Sequence, residues 1–330
     1  MNIKKRLLVA SFLFSVLVLG LFFLYSFQIF AGNGEKFVEV EIKQGETFDL
    51  INKKLKEKGL VRFKTIFKIY NILTGKSHQI KPGKYVLALN ISISELTTRL
   101  VEGPPEISII IAPGMTIREI DEKFSSLGII SGGDLINYNI SSLKENYIWL
   151  EDAKSLEGFL LPDTYNFFVG SGADLVIKKI LNDFETKVLP FLKSDANLLE
   201  IINLASLLEK EIPDYSERRL VAGLLIKRMS AGMPLQVDAT LIYNKCFGKF
   251  LKCPALEEKD FKIDSLYNTY LYLGLPETPI CNPSFEAIKA ALNPEKSDYW
   301  YYLSDPKTQK TIFSKTLDEH NKNRAIYLLK

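Results

Sequence analysis

A long uncharged apolar run near the N-terminus constrains this chain more than any other feature. Residues Leu7 to Ala31 contain no Asp, Glu, Lys or Arg. As a helix rising about 1.5 Å per residue, this run is longer than the ~30 Å hydrocarbon core of a bilayer. Lys4, Lys5 and Arg6 precede it directly, and basic residues mark the cytoplasmic side of a span. The sequence therefore predicts a cytoplasmic tail over residues 1–6 and a transmembrane helix over residues 7–31.

A cleaved signal peptide is the alternative explanation of this run. The apolar core of a signal peptide spans about 7–15 residues and ends in small residues before the cleavage site. The core here is longer, and Ile29-Phe30-Ala31 is a poor cleavage sequence. We therefore expect an uncleaved single-pass anchor in the cytoplasmic (inner) membrane. It would hold the rest of the chain on the extracytoplasmic, or periplasmic, side.

The charges of the remaining chain exclude one class of partner. Three of the 42 Lys and Arg residues precede the apolar run, and the other 39 are balanced by 39 Asp and Glu. A nucleic-acid-binding protein normally carries a basic excess, so we expect no nucleic-acid partner. Two His, three Cys and no Cys-x-x-Cys do not supply the ligand spacing of a zinc site, and neither a metal nor a cofactor is predicted. Cys246 and Cys253 could pair in an oxidising compartment.

An internal repeat follows the apolar run. Gly45-x-Thr47 corresponds to Gly114-x-Thr116, and in each copy a short apolar strand precedes the glycine. The Thr then occupies the N-cap position of an amphipathic helix that a glycine ends. The first copy and its flanking elements resemble LysM-type modules, which bind glycans containing N-acetylglucosamine, although any small α+β unit gives a similar pattern. The sequence predicts a LysM-like module over residues 36–103 and a second repeat copy, or connecting region, over residues 105–155.

A largely apolar helix is predicted between Ala196 and Ile212, and Pro213 ends it. Glu209 and Glu211 lie in its last turn, where Glu209 falls on an apolar stripe. Desolvation raises the pKa of a carboxyl group, as a general acid near neutral pH requires. Both glutamates have apolar residues one turn earlier, so periodicity does not separate them. An ordinary helix end with solvated charges has the same pattern.

Three further stretches combine polar side chains with aromatic and turn residues. They run from Leu156 to Tyr165, from Met233 to Thr240 and from Tyr267 to Pro283. In an extended second stretch, Gln236, Asp238 and Thr240 would share one face. Aromatic rings beside a few amide and hydroxyl groups are typical of ligand grooves, including those for carbohydrates. Each stretch is weak evidence when taken singly.

Taken in order, these segments resemble the endolytic murein (peptidoglycan) transglycosylase family, also called MltG or YceG-like. The resemblance runs from about Val38 to the C-terminus. It rests on Leu156 to Tyr165, Ala205 to Glu211, Arg228 to Tyr243 with its Gly-Met-Pro-Leu-Gln-x-Asp-x-Thr core, Tyr267 to Pro283, and Glu319-His320-Asn321. It implies an α+β fold class: an N-terminal transmembrane helix, the LysM-like α+β module, and a mixed α+β catalytic domain over residues 156–330.

The resemblance implies cleavage of the β-1,4 bond between N-acetylmuramic acid and N-acetylglucosamine, which leaves 1,6-anhydro ends. The family's catalytic residue is the first Glu of Ala-Ser-x-x-Glu-Lys-Glu, so this role falls on Glu209, as acid and then base. One carboxyl group suffices because the sugar's own 6-hydroxyl is the nucleophile. Motif position assigns substrate binding to Gln236, Asp238, Thr240, Tyr267, Asn268, Glu157 and Asn282. The implied partners are peptidoglycan glycan strands, the membrane, and membrane peptidoglycan synthases.

Departures from the family pattern leave alternatives open. Asp238-Ala239-Thr240 stands where the family has Asp-Pro-Thr, which removes a φ restraint but no functional group. A non-catalytic peptidoglycan-binding scaffold would carry the same anchor and module. A muramidase-type hydrolase would use Glu209 with a second carboxylate such as Asp238. A serine acyl-enzyme is not supported, because neither Ser-x-x-Lys match has its companion motifs.

Overall fold

The computed structural model describes residues 14–15, 37–193, 196–308 and 310–328. The predicted transmembrane helix over residues 7–31 lies outside these ranges, except for Phe14 and Ser15, which are helical. Among the described residues, no helix has the length and apolar character needed to cross a bilayer.

The chain divides into two compact units. The first contains the residues up to Ile107 together with Phe167–Ser171, and the second contains Ser108–Asn166 and Gly172–Lys330. Almost the whole second copy of the sequence repeat therefore belongs to the second unit.

The first unit is a small α+β structure. Its elements are β1 (Phe37–Ile42), α1 (Phe48–Glu57), α2 (Lys64–Leu73), β2 (Gly83–Ala88) and α3 (Ile93–Glu102). Strands β1 and β2 pair antiparallel, with Phe37 opposite Ala88 and Ile42 opposite Gly83. The helices bury their apolar faces on this sheet, and the core includes Val40, Leu55, Phe67, Tyr85 and Leu96.

Capping side chains begin several helices, including the two that the repeat predicts. The Thr47 side chain accepts a hydrogen bond from the backbone N–H of Leu50 at 3.4 Å, and Ser92 accepts one from Glu95 at 3.1 Å. Such bonds satisfy backbone N–H groups that have no partner in the first turn of a helix. In the second copy, the predicted N-cap Thr116 forms a capping box with Glu119. The helix starts of the repeat are thereby confirmed.

The second unit is mainly helical. Strands β3 (Glu106–Ile110) and β4 (Thr164–Phe168) form a two-stranded sheet. The helices are α4 (Ile117–Ser126), α5 (Ala173–Lys187), α6 (Leu198–Glu211), α7 (Tyr215–Ser230), α8 (Asp238–Lys245) and α9 (Phe285–Leu292). Short 3-10 turns occur at Ile140–Ser142, Ile148–Leu150, Leu189–Phe191 and Asp260–Lys262. An antiparallel hairpin of β5 (Tyr301–Ser304) and β6 (Thr311–Ser314) precedes α10 (Leu317–Tyr327).

Helix α6 packs against α7, α8 and α9 within the second unit. Its sequence is apolar on nearly every side, as expected for a buried helix. Its two buried polar residues hold the loop that follows α8. Asn203 donates through Nδ2 to the carbonyl of Pro276 at 2.7 Å, and the Ser206 hydroxyl accepts from the N–H of Ile280 at 3.1 Å. Helix α6 therefore fixes both its own glutamates and the Tyr267 to Pro283 segment.

Candidate active site

A cavity of about 640 Å³ lies beside the C-terminal end of α6. Its walls come from four of the segments that carry the family resemblance and from the β5 strand. The lining polar and aromatic residues are Glu211, Arg228, Gln236, Asp238, Phe261, Tyr270, Tyr301, Tyr302, Ser304, His320 and Arg324. Residues far apart in the sequence therefore meet around the carboxyl groups of Glu211 and Asp238.

The Glu211 carboxyl group faces this cavity with few hydrogen-bond partners. Burial and the negative charge of Asp238 raise its pKa to about 7, against the lowering effect of bonds from the Ala239 N–H and Tyr302. The Tyr302 hydroxyl donates to its Oε2 atom over a long 3.4 Å. A carboxyl group with such a pKa exchanges a proton readily near neutral pH, as an acid that then acts as a base must do.

Glu209 has different surroundings, because two residues along a helix are about 200° apart around its axis. Its side chain is 7% exposed and forms a 3.0 Å ion pair with Arg218 of α7. The other oxygen accepts from the N–H of Ser284 at 2.8 Å and from the hydroxyl of the same residue. Both carboxylate oxygens are thus engaged, and Glu209 does not line the cavity beside Glu211.

Gln236 and Asp238 are the predicted binding residues that the structure brings to Glu211. The Gln236 Oε1 atom accepts a 2.8 Å hydrogen bond from Arg228, and the Tyr270 hydroxyl donates to Asp238 at 2.5 Å. The extended interpretation of this stretch is wrong, because α8 begins at Asp238. Gln236 instead turns the chain into the helix, with a positive φ of 58°.

Thr240 and Asn268 lie in the interior and line no part of this cavity. The Thr240 hydroxyl donates to the carbonyl of Val237 at 2.7 Å. Asn268 donates through Nδ2 to the carbonyls of residues 261 and 263, at 3.1 and 2.8 Å. Its Oδ1 atom accepts from the N–H of Tyr270 at 3.0 Å. Both residues therefore hold in place the backbone that presents Asp238 and Tyr270.

Glu157 and Tyr267 meet elsewhere, at a smaller cavity of about 340 Å³. Glu157 is 1% exposed and accepts hydrogen bonds from the N–H of Ile117 at 2.9 Å, the Tyr243 hydroxyl at 3.0 Å and Asn282 at 3.0 Å. Burial raises its pKa to about 8. The structure therefore separates these two predicted site residues from Glu211.

Asn282 connects three segments of the second unit. Its Oδ1 atom accepts from the N–H groups of Gly158 and Leu160, at 2.9 and 2.8 Å. Its Nδ2 atom donates to the carbonyl of Met115 at 2.9 Å and to Glu157. The residue is fully buried. Its side-chain hydrogen bonds go to backbone groups and to the carboxyl group of Glu157.

Several lining residues have no place among the predicted binding residues. His320 belongs to the closing Glu319-His320-Asn321 motif, and that motif was the signal that could have identified it. Arg228 begins the Arg228 to Tyr243 segment of the family resemblance, so that segment was its signal. Tyr301 and Tyr302 carry no comparable signal, because their contribution depends on where the β5–β6 hairpin packs.

The loop after α8 is closed by a disulfide between Cys246 and Cys253, the pairing that the sequence left open. Among the described residues, no group of three or more His, Cys, Asp or Glu side chains is arranged to hold a metal ion.

Comparison with known proteins decides the family. A model described as the YceG-like family matches residues 40–326. This chain belongs to the YceG-like family. The family recognition from the five ordered motifs is confirmed.

Relatives of this YceG-like chain cover most of its length. An endolytic murein transglycosylase of Bacillus subtilis (strain 168) is 28% identical over 312 residues, which are 88% of this chain and 85% of the relative. One of Streptococcus pneumoniae serotype 2 is 28% identical over 326 residues, 89% of this chain but 59% of that longer relative. A crystal structure of a yceG-like protein from Listeria monocytogenes superposes with a TM-score of 0.57 at 27% identity, covering 88% of this chain and 100% of that one.

Proposed function

We propose that this YceG-like chain is an endolytic peptidoglycan lytic transglycosylase. It cleaves the β-1,4 bond between N-acetylmuramic acid and N-acetylglucosamine inside glycan strands and leaves 1,6-anhydro ends. The observation that carries the proposal is the cavity in which Glu211, with a pKa raised to about 7, meets Gln236 and Asp238. The relatives from Bacillus subtilis and Streptococcus pneumoniae are named endolytic murein transglycosylases, in agreement with this chemistry.

Glu211 is the proposed acid and base, rather than the Glu209 that the motif predicts. Glu211 faces a cavity large enough for sugar rings, and its only side-chain donor among the described residues is the distant Tyr302 hydroxyl. Glu209 already has an ion pair with Arg218 and two donors from Ser284. A proton donor must reach the leaving oxygen within hydrogen-bond distance, which favours Glu211.

The proposed reaction needs no external nucleophile. Protonated Glu211 donates its proton to the glycosidic oxygen, and the bond from that oxygen to the muramic C1 breaks. The 6-hydroxyl of the same sugar attacks C1, and its proton passes to the Glu211 carboxylate, which restores the acid. Holding the nucleophile within the substrate replaces a bimolecular step with an intramolecular one. Asp238, held by Tyr270, places a negative charge where the sugar becomes positive in the transition state.

Mass spectrometry of digested peptidoglycan tests the activity. Incubation with the soluble part of the chain, from Gly34 onward, should produce new muramic ends that are lighter by one water than hydrolysed ends. Hydrated reducing ends would support a muramidase that uses Asp238 as a second carboxylate. Retained binding without new ends would support the non-catalytic scaffold.

The pH dependence of cleavage follows from the Glu211 pKa. Cleavage begins with the protonated form, so we expect kcat/KM to fall as the pH rises through about 7. Asp238 raises this pKa by its negative charge. The Asp238→Asn variant should therefore show the same fall at a lower pH, in addition to any loss of maximal rate. Initial rates of anhydro-end formation across the pH range measure both effects, and an unmoved profile would contradict the role given to Asp238.

Two further parts of the proposal concern residues 7–31 and the first unit. The uncharged run over residues 7–31 supports a single-pass anchor, with the cavity on the extracytoplasmic side and peptidoglycan synthases nearby. The β1-α1-α2-β2 order of the first unit supports a LysM-like glycan-binding role for it. Extraction of the full chain from membranes by detergent but not by salt would support the anchor. If residues 36–103, expressed alone, did not bind glycan strands, the LysM-like role of this segment would be contradicted.

A further inference from the structure

The cavity beside Glu211 has two walls of opposite charge. Glu211 and Asp238 form the acidic side. The other side, which we call the basic wall, consists of Arg228, His320 and Arg324. A cavity that needed only to protonate a neutral sugar linkage would have no use for three basic side chains.

No carboxylate pairs with the basic wall among the described residues. Arg228 is 5% exposed, yet its hydrogen bond goes to the neutral amide oxygen of Gln236, and its guanidinium lies 5.8 Å from the centre of the Tyr301 ring. Its Nε atom is buried without a hydrogen-bond partner in the described chain. Burying a guanidinium without an anion is unfavourable, and a bound anion would offset this cost.

His320 lines the same cavity as Arg228 and Arg324. Its ring stacks on Tyr301 with centroids 5.2 Å apart, and its buried Nδ1 atom has no partner in the described chain. Burial, then Arg324, then Arg228, lowers the pKa of His320. All three side chains line the same cavity. In its neutral form this ring can still donate one N–H to a ligand.

We propose that the basic wall binds a carboxylate of the peptide stem carried by the muramic acid residue at the cleavage site. The identity of the polymer rests on the proposed function. The stem is attached through the lactyl group on the sugar that undergoes cleavage, so its carboxylates lie near the atom attacked. Guanidinium groups bind carboxylates through paired, charge-assisted hydrogen bonds. The wall would select stem-bearing strands over glycans without carboxylates.

Binding to two forms of the same glycan strands tests the proposal. One form keeps its stem carboxylates, and in the other they are converted to neutral methylamides. The full chain carrying Glu211→Gln is used, so that the strands are not cleaved during the measurement. We expect the carboxylate form to bind about tenfold more tightly, the effect of one hydrogen bond to a charged group. Adding Arg324→Gln should reduce this ratio at least threefold, and adding His320→Gln as well should bring it close to one.

Lys322→Gln is the matched control, because Lys322 is an exposed cation on the same helix and does not line the cavity. The proposal is overturned if Arg324→Gln leaves the affinity ratio of the two glycan forms unchanged, as it would by weakening the binding of both forms equally. It is also overturned if Arg324→Gln changes this ratio no more than Lys322→Gln does. Failure of the transglycosylase function would appear separately, as the absence of anhydro ends from the chain that keeps Glu211. A ratio of one together with anhydro ends would overturn the basic wall alone.

Discussion

Glu211→Gln should reduce the rate of anhydro-end formation by about 10²–10⁴-fold, the range that a general acid contributes. The amide has nearly the shape of the carboxylic acid but cannot transfer a proton to the leaving oxygen. Folding should be preserved, since burial already favours the neutral form of Glu211. The measurement is the rate of anhydro-end formation by mass spectrometry, with circular dichroism to establish that the variant is folded.

Glu209→Gln is the matched comparison, from the same turn of the same helix. Here we expect a loss of stability, because the buried Arg218 guanidinium loses its counter-charge, and breaking such a pair costs about 3–5 kcal/mol. The folded fraction should retain a rate within about tenfold of the parent, well inside the loss expected from removing an acid. A folded Glu209→Gln protein without activity, beside an active Glu211→Gln protein, would return the catalytic role to the residue that the motif predicts.

Asn282→Ala should lower the free energy of unfolding of the second unit by about 3–6 kcal/mol, because several buried groups lose their partners at once. The N–H groups of Gly158 and Leu160 and the carbonyl of Met115 would be left unsatisfied. Glu157 would also lose one of its three donors. Denaturant unfolding followed by tyrosine and tryptophan fluorescence measures the loss.

Asn293→Ala provides the control for this loss. Asn293 is the C-cap residue of α9, and its exposed side chain donates only to the carbonyl of Lys289, so its replacement should cost less than about 1 kcal/mol. If Asn282→Ala unfolded normally but no longer bound glycan strands, Asn282 would be a substrate-binding residue, as its motif position predicts. Equal effects of the two variants would also contradict the connecting role.

The sequence by itself determined the features that depend on neighbouring residues. Thr47, Ser92 and Thr116 begin helices because a side-chain oxygen reaches the N–H three residues later. The apolar character of α6 required a buried helix, whatever surrounds it. The ordered motifs also identified the family, because their spacing is a property of the chain.

Only the tertiary structure decided which polar residues meet at a cavity. Glu209 and Glu211 are equivalent by periodicity, and they differ because Arg218 of α7 pairs with one while α8 and β5 border the other. Asn282 acquires its partners more than a hundred residues away along the chain. Burial and charge pairing are properties of surroundings that long-range packing creates. The sequence thus placed two carboxyl groups on one helix, and the packing of α7 and α8 gave each of them a different environment.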